Sequence, residues 1–228
     1  MTTDVTVIVP CYNAARYIGA ALESVLNQTR KAGEILVVDD GSTDASAAVI
    51  AQYGGAVQYM RQDNQGISAA RNHGLGRAQG GLIAFLDADD LWPADSLRDR
   101  MALLEADAGL GYAFGWVEPF LSPDIPQTVR AKIQDPGEAR AGRLAGTLLL
   151  RRGILEKVGG FDAAFRVGET MDWVARIDAA GFSSRDSGSI VLRRRIHDAN
   201  TVTKEKSLHA DYLRVLRASI TRRSGLAQ

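Results

Sequence analysis

The sequence predicts an α/β fold in which a mostly parallel sheet is flanked by helices. Over the first 90 residues, short β-branched runs alternate with segments of helical periodicity, as in successive βαβ units. With 228 residues the chain is long enough for one large domain. We therefore expect a single domain with a C-terminal helical extension.

Four strands and three helices are predicted in the first half, residues 1–91. The strands VTVIVP, EILVVDD, AVQYMR and GLIAFLD begin at residues 5, 34, 56 and 81. The first helix carries an apolar stripe of Tyr17, Ile18, Ala21, Leu22, Val25 and Leu26. The second helix follows the turn GSTDAS, and the third begins at Gly66 with an inner face of Ile67, Ala70, Gly74 and Ala78. This alternation is typical of a nucleotide-binding half.

The second half, residues 92–200, has a less regular pattern. Pro93 and Asp95 open a helix, and the prolines after residue 120 predict loops. LAGTLLLRR and SIVLRRRIH are predicted strands, while RGILEKVGGF and MDWVARIDAAG are predicted helices that Gly159 and Gly181 end. This half should shape the site of a second substrate. Residues 201–228 are predicted to form a basic amphipathic helix, suited to a peripheral membrane contact or to a homodimer.

Composition narrows the classes of partner and compartment. Lysine plus arginine and aspartate plus glutamate both number 27, so no overall field favours nucleic acid, and we expect no nucleic-acid partner. Cys11 is the single cysteine, which excludes an intrachain disulfide and predicts a small buried residue. No apolar run approaches the ~18 residues of a membrane span, and no signal peptide is recognisable. We expect a cytoplasmic protein, with a position at the inner face of the membrane left open by the basic helix.

Acidic residues cluster where a buried strand ends. Asp87, Asp89 and Asp90 follow the run LIAFL, although like charges held close together repel one another. Further residues suited to ligand binding follow the first two strands: Pro10, Tyr12, Asn13, Asp39 and Asp40. Because ligands of open α/β sheets lie beyond the carboxyl ends of the strands, these groups should converge at one edge. Carboxylates there suit a hard divalent cation, Mg²⁺ or Mn²⁺.

Several other ligand-binding and catalytic motifs are absent from the sequence. It contains no G-x-x-x-x-G-K-[ST] phosphate loop, and GLGRAQG has the wrong glycine spacing for a dinucleotide fingerprint. The absence of C-x-x-C, H-E-x-x-H and G-x-S-x-G removes the common zinc and serine-hydrolase interpretations.

Four segments, in their order and spacing, resemble the family 2 glycosyltransferases with the GT-A fold. They are VTVIVPCYNAARYIGAALESVLNQT, ILVVDDGSTDAS, NQGISAARNHGLGRAQGGLIAFLDADDLW and GGFDAAFRVGETMDWVARI. The resemblance covers about residues 4–200 and implies a Rossmann-like GT-A domain over residues 1–200. It also implies a nucleotide-sugar donor, a divalent cation and, usually, inversion at the anomeric carbon.

Matched position by position, the resemblance implies roles on the donor side. It places Pro10, Tyr12 and Asn13 around the nucleoside. Asp40, together with Asp39, is implied to contact the base, uracil or thymine, which favours a UDP-sugar.

The same matching implies residues for the sugar and the cation. Asp87 corresponds to the acid near the ribose or sugar, and Asp89 to the principal metal ligand. His197 resembles a late histidine that approaches the metal or diphosphate, with a lone surface histidine as the alternative. Arg71 falls in a segment that braces the nucleotide, and an ion pair with a nearby acid is its alternative. One of the arginines at 193–195 is expected to face a diphosphate.

One position departs from the family pattern. The family typically has an acid that deprotonates the acceptor where GETMDW has Thr170, and threonine is not a base at neutral pH. Glu169 is the predicted catalytic base, with Asp172 in reserve, although Asp172 is also spaced for a helical ion pair with Arg176. The acceptor hydroxyl is left open among saccharide, lipid-linked and other acceptors.

Two other function classes remain as alternatives. Thr170 is compatible with a nucleotide-sugar-binding module that has little or no turnover. A sugar-phosphate nucleotidyltransferase would use a related sheet, but no glycine-rich basic loop follows the first strand to hold a triphosphate.

Overall fold

The structure, a computed structural model, describes residues 4–125, 127–130, 137–165 and 167–197. The predicted helix at residues 201–228 lies outside these residues, as do Pro126 and Pro136. Within them, no helix has both the length and the apolar character needed to cross a bilayer.

Strands and helices alternate along the described residues. The strands are β1 (Val5–Cys11), β2 (Glu34–Asp39), β3 (Gln58–Arg61), β4 (Leu82–Phe85), β5 (Leu110–Leu121), β6 (Arg140–Gly142), β7 (Leu149–Arg151) and β8 (Ser183–Ile196). The helices are α1 (Ile18–Leu26), α2 (Ser46–Ala51), α3 (Ile67–Arg77), α4 (Ser96–Ala106), α5 (Gln127–Arg130), α6 (Ile154–Val158) and α7 (Glu169–Ala179).

The sheet has the order β3-β2-β1-β4-β7-β5-β6, and β8 pairs with β5. Strands β1 to β4 are mutually parallel, β7 is antiparallel to both β4 and β5, and β8 is parallel to β5. The predicted α/β fold with a mostly parallel sheet is therefore confirmed. Strands β1 to β5 and β8 all end on the same side of the sheet, which we name the carboxyl edge.

Alternating residues of the strands build one apolar core on each face of the sheet. Val7 and Val9 of β1 pack with α1 and α4 on one face. Ile8 packs on the other face, in a cluster that includes Trp173 and Ile177 of α7. The period-two alternation of β1 thus buries both of its faces, as expected of a central parallel strand.

Helix α3 packs on the sheet through most of the predicted face, with Ile67 as the exception. Ile67 is 36% exposed, because it begins the helix at the carboxyl edge, beyond the apolar layer. The buried side of the helix is formed by Ser68, Ala70, Arg71, Gly74 and Leu75. The prediction of Ala70, Gly74 and Ala78 as inward residues is confirmed, and that of Ile67 is wrong.

The second half differs most from the sequence prediction. LAGTLLLRR was expected to be one strand, but Ala145–Thr147 form a 3₁₀ turn before β7. The hydroxyl of Thr147 donates to the Gly142 carbonyl and accepts from the Leu144 N–H, which favours the turn. Strand β5 occupies part of the second half, where the sequence pattern was expected to be less regular.

Two glycines of α3 should respond oppositely to alanine. A Cβ on Gly74 would lie 2.5 Å from Ile8 Cγ2, whereas one on Gly76 would meet nothing within 4 Å. We expect Gly74→Ala to lower the free energy of unfolding by about 1–3 kcal/mol through overpacking. Gly76→Ala should raise it by about 0.4–1 kcal/mol, because alanine restricts the unfolded chain. Urea denaturation of both variants measures the difference, and equal effects would contradict the packing of α3 on β1.

Candidate functional site

The carboxyl edge brings together residues from distant parts of the chain. Arg71 comes from α3, Asp87 and Asp89 follow β4, Glu169 begins α7, and His197 follows β8. These are all residues that the sequence singled out, and two sets of contacts join them.

Arg71 lies at the centre of the first set. Its side chain is only 2% exposed, and its Nη2 and Nη1 lie 2.7 Å from Asp87 Oδ1 and 2.7 Å from Glu169 Oε1. Its guanidinium also lies over the ring of Phe161, 5.2 Å from the centroid. Burial alone would lower the pKa of Arg71, but the charges of Asp87 and Glu169 raise it. The predicted ion pair with a nearby acid is therefore present, and it is a bridge between two acids.

His197 and Asp89 form the second set. His197 Nε2 lies 2.9 Å from Asp89 Oδ2, and the imidazole packs against the ring of Tyr17 with centroids 4.7 Å apart. His197 is 6% exposed, so it is not a lone surface histidine. Among the described residues, no group of three or more His, Cys, Asp or Glu side chains is placed to hold a metal. Mg²⁺ is commonly held by one or two carboxylates plus substrate phosphates, and Asp89 supplies a carboxylate of this kind.

Asp90 is directed into the protein. It is 5% exposed, and its Oδ1 accepts the N–H of Arg195 at 2.8 Å. Burial, together with the charges of Asp89 and Asp87, raises the pKa of Asp90 well above its ordinary value. The three clustered carboxylates therefore have three different surroundings.

The arginines at 193–195 also separate into different environments. Arg195 is buried, donates from Nε to the Asp89 carbonyl at 2.8 Å, and lies over the rings of Tyr17 and Phe120. Arg193 pairs with Glu118 at 2.8 Å, and Arg194 is exposed. Arg195 thus contacts Asp89 through its side chain, whereas Arg193 bridges to Leu91 through its backbone.

Asp39 and Asp40 are engaged by the protein itself. Asp39 is 0% exposed and accepts from the Ser42 N–H, the Tyr59 hydroxyl and Arg61 Nη1. Asp40 is 3% exposed and accepts from three donors of the loop before α3: Gln62 Nε2, Gln65 N and Gly66 N. Both carboxylates therefore fix the loops beyond β2. The sequence analysis did not identify these partners; apart from Ser42, which is three residues from Asp39, they lie 20 to 26 residues away from the acids.

The predicted residues at the end of β1 have different surroundings. Tyr12 is 52% exposed, and Pro10 is buried within β1. Asn13 has a positive φ of 48°, and its Oδ1 accepts the backbone N–H groups of Thr43 and Asp44. Tyr12 therefore presents an aromatic surface at the edge, while Asn13 holds the β2–α2 loop against it.

Glu169 and Asp172 lie in the first turn of α7 but have different contacts. The Thr170 hydroxyl donates to Glu169 Oε1 at 3.1 Å, the same oxygen that Arg71 contacts. Asp172 is 1% exposed and pairs with Arg176 at 2.8 Å, as the i,i+4 spacing suggested.

Cys11 is buried, which raises its pKa to about 11, in keeping with a packing role.

The family model described as Glycosyl transferase family 2 matches residues 6–159, which is more than half of the chain. The chain belongs to glycosyl transferase family 2. It is 38% identical over 120 residues to the glycosyltransferase GlyA of Streptococcus pneumoniae, covering 50% of this chain and 17% of that protein. It is 41% identical over 105 residues to the putative teichuronic acid biosynthesis glycosyltransferase TuaG of Bacillus subtilis, covering 44% and 41%. The chain thus matches less than half the length of either relative.

Solved structures of the same fold cover more of the chain. S. aureus TarS 1–349 in complex with UDP-GlcNAc superposes with a TM-score of 0.75 at 20% identity, covering 96% of this chain and 66% of TarS. The mannosyltransferase PcManGT of Pyrobaculum calidifontis, in complex with GDP-Man and Mn²⁺, gives 0.64 at 22% identity, covering 90% and 59%. The predicted GT-A fold is confirmed.

Asp39 should make stability depend on pH. Burial raises its pKa, but hydrogen bonds from Tyr59 and Ser42 and the charge of Arg61 outweigh burial, so its pKa is lowered overall. The stability it contributes is present above the unfolded value near pH ~3.9 and is lost as pH falls through the lower folded pKa. We expect Asp39→Asn to cost about 1–3 kcal/mol at pH 7 and progressively less below pH ~4.

Urea denaturation across this pH range checks the Asp39 prediction. Asp63, which is exposed in the neighbouring loop, provides the control variant Asp63→Asn. A deficit for Asp39→Asn that grows as pH falls would contradict the assignment.

Proposed function

We propose that the chain transfers a sugar from a nucleotide-diphosphate donor, UDP-linked, to an acceptor hydroxyl, with a bound Mg²⁺ or Mn²⁺ and inversion at the anomeric carbon. The observation that carries the proposal is the convergence at the carboxyl edge of Asp89 and His197 with the bridge of Asp87, Arg71 and Glu169. The nucleotide sugars bound to TarS and PcManGT and the Mn²⁺ of PcManGT support it by analogy.

The donor side of the site would hold the nucleotide and its diphosphate. Asp89 and His197 would bind the cation, and Tyr12 would lie against the nucleoside. The cation, when bound, would stabilise the negative charge that builds on the departing diphosphate. Asp39, Asp40 and Asn13 would contribute by fixing the loops that form the nucleoside wall, since their side chains hold these loops in the structure.

The acceptor side would be served by Glu169. Arg71 and Thr170 both contact Oε1, so Oε2 is the oxygen that would take the proton from the acceptor hydroxyl. Asp87, on the other side of Arg71, would contact the donor sugar or ribose. Inversion requires the acceptor hydroxyl to attack the anomeric carbon from the face opposite the diphosphate. Arg71 would hold Glu169 in the position from which it directs this attack.

A binding module with little turnover is the second candidate, and Thr170 is the observation that favours it. In the structure its hydroxyl supports Glu169 and supplies no base of its own. Under this alternative, a nucleotide sugar would bind with its cation but would be neither transferred nor hydrolysed.

Removing the Asp89 carboxylate should abolish metal-dependent donor binding. We expect Asp89→Ala to weaken Mn²⁺-dependent binding of a UDP-sugar by about 100-fold or more, because a direct ligand is lost. Isothermal titration with UDP-glucose and UDP-GlcNAc, with and without Mn²⁺, measures the change. Glu156→Ala, at an exposed acid of α6, should bind as the wild type does. Unchanged binding by Asp89→Ala would reject the proposed cation site.

Glu169 should be required for turnover more than for donor binding. We expect Glu169→Gln to lower the rate of sugar transfer or donor hydrolysis by about 10²–10⁴-fold, the usual contribution of a general base. The amide oxygen can still accept from Arg71, so UDP-sugar affinity should be retained. Asp172→Asn is the matched control in the same helical turn. The part of this variant that folds should turn over at the wild-type rate. Full turnover in Glu169→Gln would show that Glu169 is not the base. A gain of turnover in the single variant Thr170→Asp would also assign the base elsewhere.

A further inference from the structure

Trp116 is an exposed tryptophan held in a fixed orientation. The chain has three tryptophans; Trp92 and Trp173 are 4% and 0% exposed, whereas Trp116 is 36% exposed. Its indole N–H donates to Asp186 Oδ2 at 3.1 Å, and Asp186 Oδ1 accepts the Gly188 N–H at 2.9 Å. The ring therefore presents a pre-oriented apolar surface to solvent.

A bulge in β8 holds Asp186 against this indole. Asp186 pairs with Phe114 and Ile190 pairs with Trp116, so residues 187–189 of β8 lie opposite the single residue Gly115. Gly188 has a positive φ of 69°, which a side chain would strain. Bulges of this kind re-aim side chains, often beside functional sites.

Trp116 lies on the face of the sheet that α7 covers. The Tyr112 hydroxyl donates to Asp178 Oδ1 in the last turn of α7 at 2.7 Å. Because side chains alternate along a strand, Phe114 and Trp116 are directed to the same face as Tyr112. Arg143 lies over the Phe114 ring, 4.9 Å from its centroid, and pairs with Asp178. The three rings thus form a row along β5 toward the carboxyl edge, and Arg143 and Asp178 place charged groups beside Tyr112 and Phe114.

Trp116 and Glu169 lie at about the same level of the fold. From the contact between Tyr112 and Asp178, β5 rises toward the carboxyl edge and α7 runs back toward it. Trp116 is four residues further along the strand, a rise of roughly 13 Å. Glu169 is nine residues back along the helix, also roughly 13 Å. The indole is therefore displaced sideways from the proposed base.

We propose that Trp116 is the platform on which a sugar ring of the acceptor stacks, so that the acceptor is a saccharide. The proposal rests on the proposed glycosyl transfer and names the acceptor class. A pyranose has an apolar C–H face and a rim of hydroxyls, which match an indole held by the Asp186 carboxylate. The neighbouring Phe114 ring on the same face carries the Arg143 guanidinium, a further donor for such hydroxyls.

Fluorescence distinguishes Trp116 from the two buried tryptophans. We would measure acrylamide quenching with chitohexaose and with cellohexaose as probes, and titrate UDP with Mn²⁺ in parallel. At least one oligosaccharide should protect Trp116 from acrylamide. Because the variants lack this fluorophore, isothermal titration measures the Kd of that oligosaccharide, which should rise about tenfold or more in Trp116→Ala, as for truncation of a central tryptophan contact. The oligosaccharide Kd of Trp116→Phe should lie between those of the wild type and Trp116→Ala. UDP binding should be unchanged in both variants.

Four outcomes would count against the proposal, and they are distinguishable. Unchanged quenching with both oligosaccharides, while UDP binds, would overturn the platform and leave the proposed function intact. Failure of UDP to bind the wild type would remove the proposed function and the platform with it. Loss of UDP binding in both variants would make the ring structural. A wild-type dimer that Trp116→Ala converts to a monomer in sedimentation would make this surface an interface between copies.

Discussion

The buried guanidinium of Arg71 joins the two halves of the site. Desolvation of a lone arginine would cost several kcal/mol, and Asp87 and Glu169 compensate for it from opposite sides. The compensation is incomplete, because Arg71 Nε is buried without a hydrogen-bond partner among the described residues. Buried charge networks add little net stability. The bridge is therefore better understood as a positional constraint that fixes the start of α7 against the end of β4.

The three carboxylates after β4 have a physical explanation in this arrangement. Asp87 pairs with Arg71, Asp89 with His197, and Asp90 is buried against the Arg195 backbone. Mutual repulsion is thereby reduced for two of them, whereas burial and the charges of Asp89 and Asp87 raise the pKa of Asp90. The side chains of Asp87 and Asp89 remain 34% and 31% exposed, so the edge presents two acids to a ligand.

Sequence reasoning was most accurate where local patterns decide the structure. The first four strands and the apolar stripe of α1 follow from periodicity, and the position of the site follows from the parallel strand ends. Strand β5 was missed because its partner strand β8 lies some 70 positions later in the sequence, so no local pattern reveals the pairing. Most of the donors to Asp39 and Asp40 were missed because they lie on the next strand and its loop, 20 to 26 positions later in the sequence. His197 and Arg71 were found through a family resemblance, since no local pattern links either residue to the acids it contacts.

A crystal structure of the chain with a UDP-sugar and Mn²⁺ would test the account most directly. The account predicts the cation bound by Asp89, His197 and diphosphate oxygens, with Arg71 still between Asp87 and Glu169 and Glu169 Oε2 facing the anomeric carbon. A nucleotide bound away from the carboxyl edge, or a cation that neither Asp89 nor His197 contacts, would contradict it.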